Sequence, residues 1–401
     1  MEEDSFTEVT SQSWGGRLGG SLKGIVIGLL LICVGIAALL WNEGRAVDRA
    51  RALEEGAGQI VTIEADRIDP AYEGRLVHLS GNATTQERLS DPDFGVQAQA
   101  IKLHRAVQMF QWQEHRSSET KEKLGGGTET VTTYTYDKGW NSRVIQSSSF
   151  KKPTGHQNPG HMPYQGWSSQ AREVTLGAFR LSSGLISQIN QTTSIPLNPE
   201  SGVRLPSDQA RLSGDEIYIG QDPASPSIGD IRIGFQAVYP TDVSIVSVQR
   251  GESFTPYTAS NGNVVELLEY GFQTAQQMFQ AAQGRNTLLT WGIRLAGFIG
   301  VFIGFRMLLG TLRVLAAVVP MFGRLVGGAL GILAFIIAAV ISLVSIAIAW
   351  IFYRPLLAVG LLVGAGVLLF GLKIVKSSDK VPAAPSMTTA TPPPPPPPSP
   401  A

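Results

Sequence analysis

The apolar positions of this chain fall into two blocks, with a long polar stretch between them. Residues 24–41 form one nearly continuous apolar run, and residues 291–372 form a second, much longer one. Within the second, residues 327–352 carry no charged side chain, about twenty-six residues against the roughly twenty a helix needs to cross a bilayer. A core helix of a water-soluble protein is rarely so long and so uniformly apolar. The pattern therefore predicts an integral membrane protein.

Between the blocks the period changes to two. Val131, Tyr134 and Tyr136 sit in an alternating run, as do Ile231, Ile233 and Phe235, and Val243, Ile245 and Val248. Alternation of this kind predicts strands with one buried and one wet face. Breakers separate these strands: Asp91-Pro92, Gly125-Gly126-Gly127, Asn158-Pro159-Gly160 and Asp222-Pro223. Helical spacing is predicted on either side of the strands. Residues 46–60 form one such segment. Residues 264–282 form another, with Val264, Leu267, Leu268, Met278, Phe279 and Ala282 along one stripe.

The expected architecture is an α+β membrane protein. It has four transmembrane helices and a large β-rich extramembrane domain, an antiparallel sandwich or barrel-like sheet, inserted between spans one and two. Spans are predicted at 23–41, 289–312, 326–352 and 355–372. Residues 1–22 read as a flexible tail, 42–288 as the β-rich domain with its flanking helices, and 313–325 as an interfacial segment. Residues 373–401 end in polyproline and read as disordered. Trp41 suits a membrane interface, followed by the polar Asn42-Glu43-Gly44-Arg45, read as a helix end with snorkelling charge. Tyr353-Arg354-Pro355 forms a tight break at another interface, because proline cannot continue a helix that needs its N–H.

Charge adds little. The 32 basic and 32 acidic residues balance, so nothing points to a nucleic-acid partner. Four spans put both termini on one side, and the slight excess of Lys and Arg there favours cytoplasmic termini and an exported or luminal domain. The single cysteine, Cys33, excludes a disulfide or a zinc-thiolate site within one chain.

The search for chemistry finds little. His156 and His161 flank one loop and are the weak candidates for a metal, but their spacing matches no ligand signature. No nucleophile elbow, phosphate loop, dinucleotide fingerprint or zinc-protease helix is present. No cofactor and no enzymatic activity are expected. Arg294 and Arg306 lie inside a span, where an ionisable group is a functional candidate by default, against the plain alternative that both snorkel. Gly300 with Gly304, and Gly360 with Gly364, have the spacing that lets helices approach closely and would suit self-association.

Several short segments, taken together and in order, resemble the transmembrane protein 43 (LUMA) family. They include Asn42-Glu43-Gly44-Arg45, Glu73-Gly74-Arg75, Leu89-Ser90-Asp91-Pro92, Lys102-Leu103-His104-Arg105, Asn158-Pro159, Gly229-Asp230-Ile231-Arg232 and Tyr353-Arg354-Pro355. The resemblance implies four spans, one large domain between the first two, and self-association. It brings no catalytic residues. For animal members it implies the endoplasmic reticulum and inner nuclear membrane, with envelope-protein partners; in a prokaryote the site would be the cytoplasmic membrane. The function expected from all this is a non-enzymatic scaffold whose partners are further copies of itself, membrane lipid and other membrane or envelope proteins. The alternative is a channel or transporter subunit with Arg294 or Arg306 lining a pathway.

Overall fold

The structure is a computed structural model and describes residues 5–198, 202–316 and 320–353, with residues 355 and 359. Its described α-helices are α1 (Trp14–Gln59), α2 (Ser183–Gln188), α3 (Ala275–Ala316) and α4 (Pro320–Tyr353). Three of them are long and apolar enough to cross a membrane, over Trp14–Gln59, Ala275–Val314 and Gly327–Tyr353. The expected fourth span, apart from residues 355 and 359, the glycines Gly360 and Gly364 and the polyproline end lie outside the described residues. Met1–Ile346 form one compact unit, and the second unit, from Ala347, is described only over the last turns of α4.

Helix α1 is unbroken from before the apolar run to Gln59. Ser13 caps its start, its hydroxyl accepting from the Gly16 amide at 3.2 Å. The predicted helix over 46–60 is thus the second half of the membrane helix. The helix end expected at Asn42-Glu43-Gly44-Arg45 does not exist. Asn42, Glu43 and Gly44 are buried in mid-helix, because α3 covers them.

The β-rich region between α1 and α3, joined by the strand Ser5–Gln12 from before α1, forms two main sheets, one of eight strands and one of seven. Pairing is antiparallel apart from Val61–Thr62 against Leu76–Thr84. Strands Lys102–Glu122 and Ile231–Val238 lie side by side in the first sheet, and Leu76–Thr84 and Thr241–Arg250 in the second. One core fills the space between the sheets, with Leu103, Val107, Met109, Ile233 and Phe235 from the first and Val77, Leu79, Val243 and Ile245 from the second. Burying each such side chain contributes about 1.5–3 kcal/mol.

Strand Thr241–Arg250 corrects the expectation of a wet face. Its other side, Val246 and Val248, packs with Leu76, Leu267, Ala52, Leu53, Met278 and Phe279 under the ends of α1 and α3. Its serines stay buried because each has a partner: Ser244 donates to the Gly271 carbonyl and Ser247 to the Thr255 carbonyl, both at 2.8 Å. The helix predicted over 264–282 is also corrected. Val264–Val265 and Leu267–Tyr270 are strands, the latter paired with 243–246, and α3 begins only at Ala275.

The tail expected over 1–22 is ordered from Ser5. Ser5–Gln12 is a strand paired along its whole length with Thr128–Asn141, which in turn pairs with Lys102–Glu122. Glu8 anchors it through Lys151 at 3.0 Å. These strands form a polar arm. Its residues 110–122 extend about 40 Å beyond the body of the sheet, at 3.3 Å per residue. Helix α1 covers a matching distance of about 43 Å from residue 46 back to residue 17, at 1.5 Å per residue. The arm tip closes the loop. Arg17 bonds Glu122 at 3.1 Å and the Gly126 carbonyl, Arg313 reaches Glu122 at 3.4 Å, and the Trp14 indole donates to the Val314 carbonyl at 2.9 Å. Among the described residues no strand pairs with the outer edge of the arm beyond Met109.

Candidate functional site: a polar lock where two membrane helices meet the sheets

Helices α1 and α3 run antiparallel in contact, and their interface changes chemistry along its length. In the apolar part the contact is made by glycines. A Cβ on Gly304 would sit 2.6 Å from the Gly28 carbonyl oxygen, and one on Gly28 would sit 2.7 Å from that of Gly304. Gly35 faces Gly297 and Val301 in the same way, and Gly297 faces Leu39 at 2.8 Å. Backbones come this close only where side chains are absent. Gly304 is therefore occupied by a helix of its own chain. Gly300, also expected at a packing face, is looser, with its nearest neighbour at 3.9 Å.

Towards the sheets the same interface turns polar. Asn286, Thr290 and Arg294 are spaced by four, so they share one face of α3. Asn42, Glu43 and Arg45 meet them from α1. The Asn42 amide donates to the Thr290 carbonyl at 3.0 Å. Arg45 donates to Asn286 Oδ1 and Thr290 Oγ1, each at 3.0 Å, and to Asn42 Oδ1 at 3.1 Å. Asn286 donates to the Ala46 carbonyl at 2.9 Å, and Thr290 back to the Asn286 carbonyl at 2.7 Å. Arg294 grips Glu43 with two parallel bonds, Nε to Oε1 at 2.7 Å and an end nitrogen to Oε2 at 2.8 Å. The Glu43 side chain is fully buried and that of Arg294 is 13% exposed. A charged pair this buried holds only because both ends are paired in good geometry.

Trp41 and Trp291 flank this network and are both exposed, where the indole rings suit a membrane interface. Arg294 also lies over the Trp291 ring, 4.7 Å from its centroid. Its side chain thus points from the apolar span towards the polar end, the direction expected for snorkelling, but it ends on Glu43 rather than in water. The arrangement positions helices and offers no free acid, base or nucleophile.

The other expected sites are placed apart from this one. His156 is buried, stacked on Tyr136 with ring centroids 4.0 Å apart and edge-on to Trp112 at 4.6 Å, while its Nδ1 lies 2.8 Å from the Lys152 carbonyl. His161 is exposed. Among the described residues no group of three or more His, Cys, Asp or Glu is placed to hold a metal ion. Tyr353 ends α4 and Pro355 is exposed; Arg354 lies outside the described residues. Sequence reasoning missed Asn286, Thr290, Gly28, Gly35 and Gly297. The recurrence of polar residues every fourth position at 286, 290 and 294 was the available signal. It also missed Lys102, buried in the β-rich region and bonded to the Ser187 carbonyl and Asn190, with its pKa lowered by burial.

Comparison with known proteins places this architecture. A family model described as Transmembrane protein 43 matches residues 109–355. The chain belongs to the transmembrane protein 43 family. It is similar to Transmembrane protein 43 of Mus musculus, 34% identical over 94% of this chain and 95% of that protein. The similarity to Transmembrane protein 43 of Homo sapiens is 33% over 92% of both. That to the Transmembrane protein 43 homolog of Drosophila melanogaster is 31% over 84% of this chain and 90% of the fly protein. No solved structure matches the chain. The matched proteins span the apolar blocks and the β-rich region alike, so this is a transmembrane protein 43 family membrane protein over nearly its whole length.

Proposed function

We propose that the protein is a non-enzymatic membrane scaffold that self-associates and holds other membrane or envelope proteins in place through its β-rich region. The observation that carries this reading is the polar arm. Asp230, Gly229 and Asn158 cover the edge at Phe110 and Trp112; beyond them residues 113–122 present an open strand edge alongside an apolar helix pair, and the outward side chains include Ser117, Glu119 and Lys121. Lipid cannot satisfy an open edge or these side chains, whereas neighbouring protein or water can. Further copies of the chain are the simplest neighbour at that depth. The unbroken passage of α1 from the apolar run into the core under Thr241–Arg250 supports the second half of the reading, since whatever the sheets bind is held at a fixed orientation to the membrane.

Gly304 is taken up within the chain, so assembly runs through the arm and other faces and not through that glycine. Family membership supports the endoplasmic reticulum or inner nuclear membrane as the site in an animal cell and the cytoplasmic membrane in a prokaryote, with the termini cytoplasmic. Cross-linking with mass spectrometry on intact membranes tests the reading. A ladder of homo-oligomers, with links between arm lysines of different copies and recurring protein partners, is the expected result. Monomers alone would overturn it.

A channel subunit is the second reading, and the same arm favours it, because copies that gather their arms around water would enclose an aqueous path. Arg294 no longer serves this reading, since it is bound to Glu43. Arg306 does. Under the channel reading Arg306→Leu abolishes a flux in liposomes while assembly persists.

A further inference from the structure

Between Glu269 and Asp379 the sequence contains no acidic residue, yet it carries Arg285, Arg294, Arg306, Arg313, Arg324, Arg354, Lys373 and Lys376. Any cation in these helices must find its counter-charge elsewhere. Two do so within the chain: Arg285 with Glu269 and Arg294 with Glu43. Arg313 lies 3.4 Å from Glu122, but Arg17 holds the same carboxylate oxygen at 3.1 Å. One carboxylate thus serves two guanidinium groups. No carboxylate among the described residues pairs with Arg306, which is exposed on the apolar helix α3.

Arg306 and Arg313 are seven residues apart, two turns, so they lie on one face of α3 about 10 Å apart along its axis. Both line a groove of about 540 Å³ between α3 and α4. Its walls are Phe302, Ile332 and Phe335 on one part and Gly327, Gly328 and Gly331 on the other. The aromatic contact of Phe302 with Phe335, ring centroids 6.1 Å apart, closes the apolar end. At the other end Arg313 passes across Gly327, where a Cβ would come within 3.0 Å of its Nε. The missing side chain leaves the guanidinium its place.

We propose that this groove binds an anionic phospholipid, its phosphate between Arg306 and Arg313 and an acyl chain along Phe302, Ile332 and Phe335. An arginine side chain spans roughly half the distance between the two positions, so both guanidinium groups reach one headgroup, each as a bidentate donor. The apolar end offers a tail the same surroundings as the bilayer. Arg313 already pairs with one oxyanion, the Glu122 carboxylate at 3.4 Å, outside the groove's lining. The site is independent of whether the chain acts as a scaffold or a channel, and it needs only that α3 and α4 lie in a membrane.

Native mass spectrometry of the full-length protein, delipidated and then given equal phosphatidylglycerol and phosphatidylcholine, tests it. The expected wild-type preference for phosphatidylglycerol is at least about tenfold, given two arginines at the headgroup. The double substitution R306Q/R313Q reduces it to near parity, R306K/R313K, which keeps the charges but loses the forked donors, retains only part of it, and R67Q/R172Q, in loops of the β-rich region, leaves it unchanged. An undiminished preference in R306Q/R313Q, or none in the wild type, overturns the proposal. Should R306Q/R313Q fail to fold, a photoactivatable phosphatidylglycerol is cross-linked to the wild type in nanodiscs. Labelled peptides within residues 302–335 are expected, and labelling confined to other segments overturns it.

Discussion

The two halves of the α1–α3 interface solve one problem by opposite means. In the apolar half Gly28, Gly35, Gly297 and Gly304 let backbones touch. At the other end Asn42, Glu43, Arg45, Asn286, Thr290 and Arg294 join the helices through hydrogen bonds and one ion pair. Lipid tails are as apolar as leucine, so hydrophobic burial gives no reason for helices to associate there and close packing must do it. Where the helices reach the sheets, water competes for every polar group, and only a network with all its members satisfied persists when buried. Close packing permits sliding by a turn; a bidentate ion pair does not. The glycine half therefore sets how near the helices lie, and the polar half sets their register.

Substitutions separate the two roles. Removing the Glu43 carboxylate by Glu43→Gln takes from Arg294 the group it is buried against, and the expected loss is about 3–5 kcal/mol in thermal unfolding of the reconstituted protein. Gly304→Val places a side chain into the Gly28 carbonyl; the helices must move apart, for about 1–3 kcal/mol. Gly300→Ala, one turn away with room around it, is expected to stay within about 0.5 kcal/mol, which tests whether the seam or glycine content as such matters. Asn42→Ala leaves Arg45 and Asn286 in place and is expected to cost about 1–3 kcal/mol.

The smallest effect lies beyond both halves. His78, buried between the Thr62 hydroxyl and the Gln273 carbonyl, has a pKa lowered from 6.5 by its burial. Its neutral form is the one the fold favours. Stability is then full above the ordinary value and falls as pH drops below 6.5 towards the folded value. Unfolding temperatures measured from pH 7.5 down to 5 should fall for the wild type, and less steeply for His78→Gln; identical slopes would remove His78 from the account.

What the sequence showed follows the range of the interactions. The apolar runs of α1, α3 and α4 and the alternation of Ile231, Ile233 and Phe235 are written locally, and they were legible. Val264, Leu267 and Leu268 have helical spacing yet form strands, because pairing with 243–246 and with Tyr257–Thr258 outweighs a weak local preference. The strand Ser5–Gln12 was invisible, since its partner lies more than a hundred residues away and its own residues carry no apolar stripe. The lock was half legible. Asn42-Glu43-Gly44-Arg45 stood out as polar beside a span, but its meaning depends on α3, about 250 residues later. Arg294 drew attention as a charge in a span, without any local sign that Glu43 was its partner.

The Glu43–Arg294 pair fixes the register of α1 against α3. A charge-exchange cycle in the reconstituted full chain tests it most directly, with Glu43→Arg, Arg294→Glu and the two combined compared by thermal unfolding. Each single change puts like charges together in a buried site and should lower the unfolding temperature sharply. The combined variant restores opposite charges and should recover most of the loss. Losses that simply add would contradict the claim and leave the glycine seam as the main contact between the two helices.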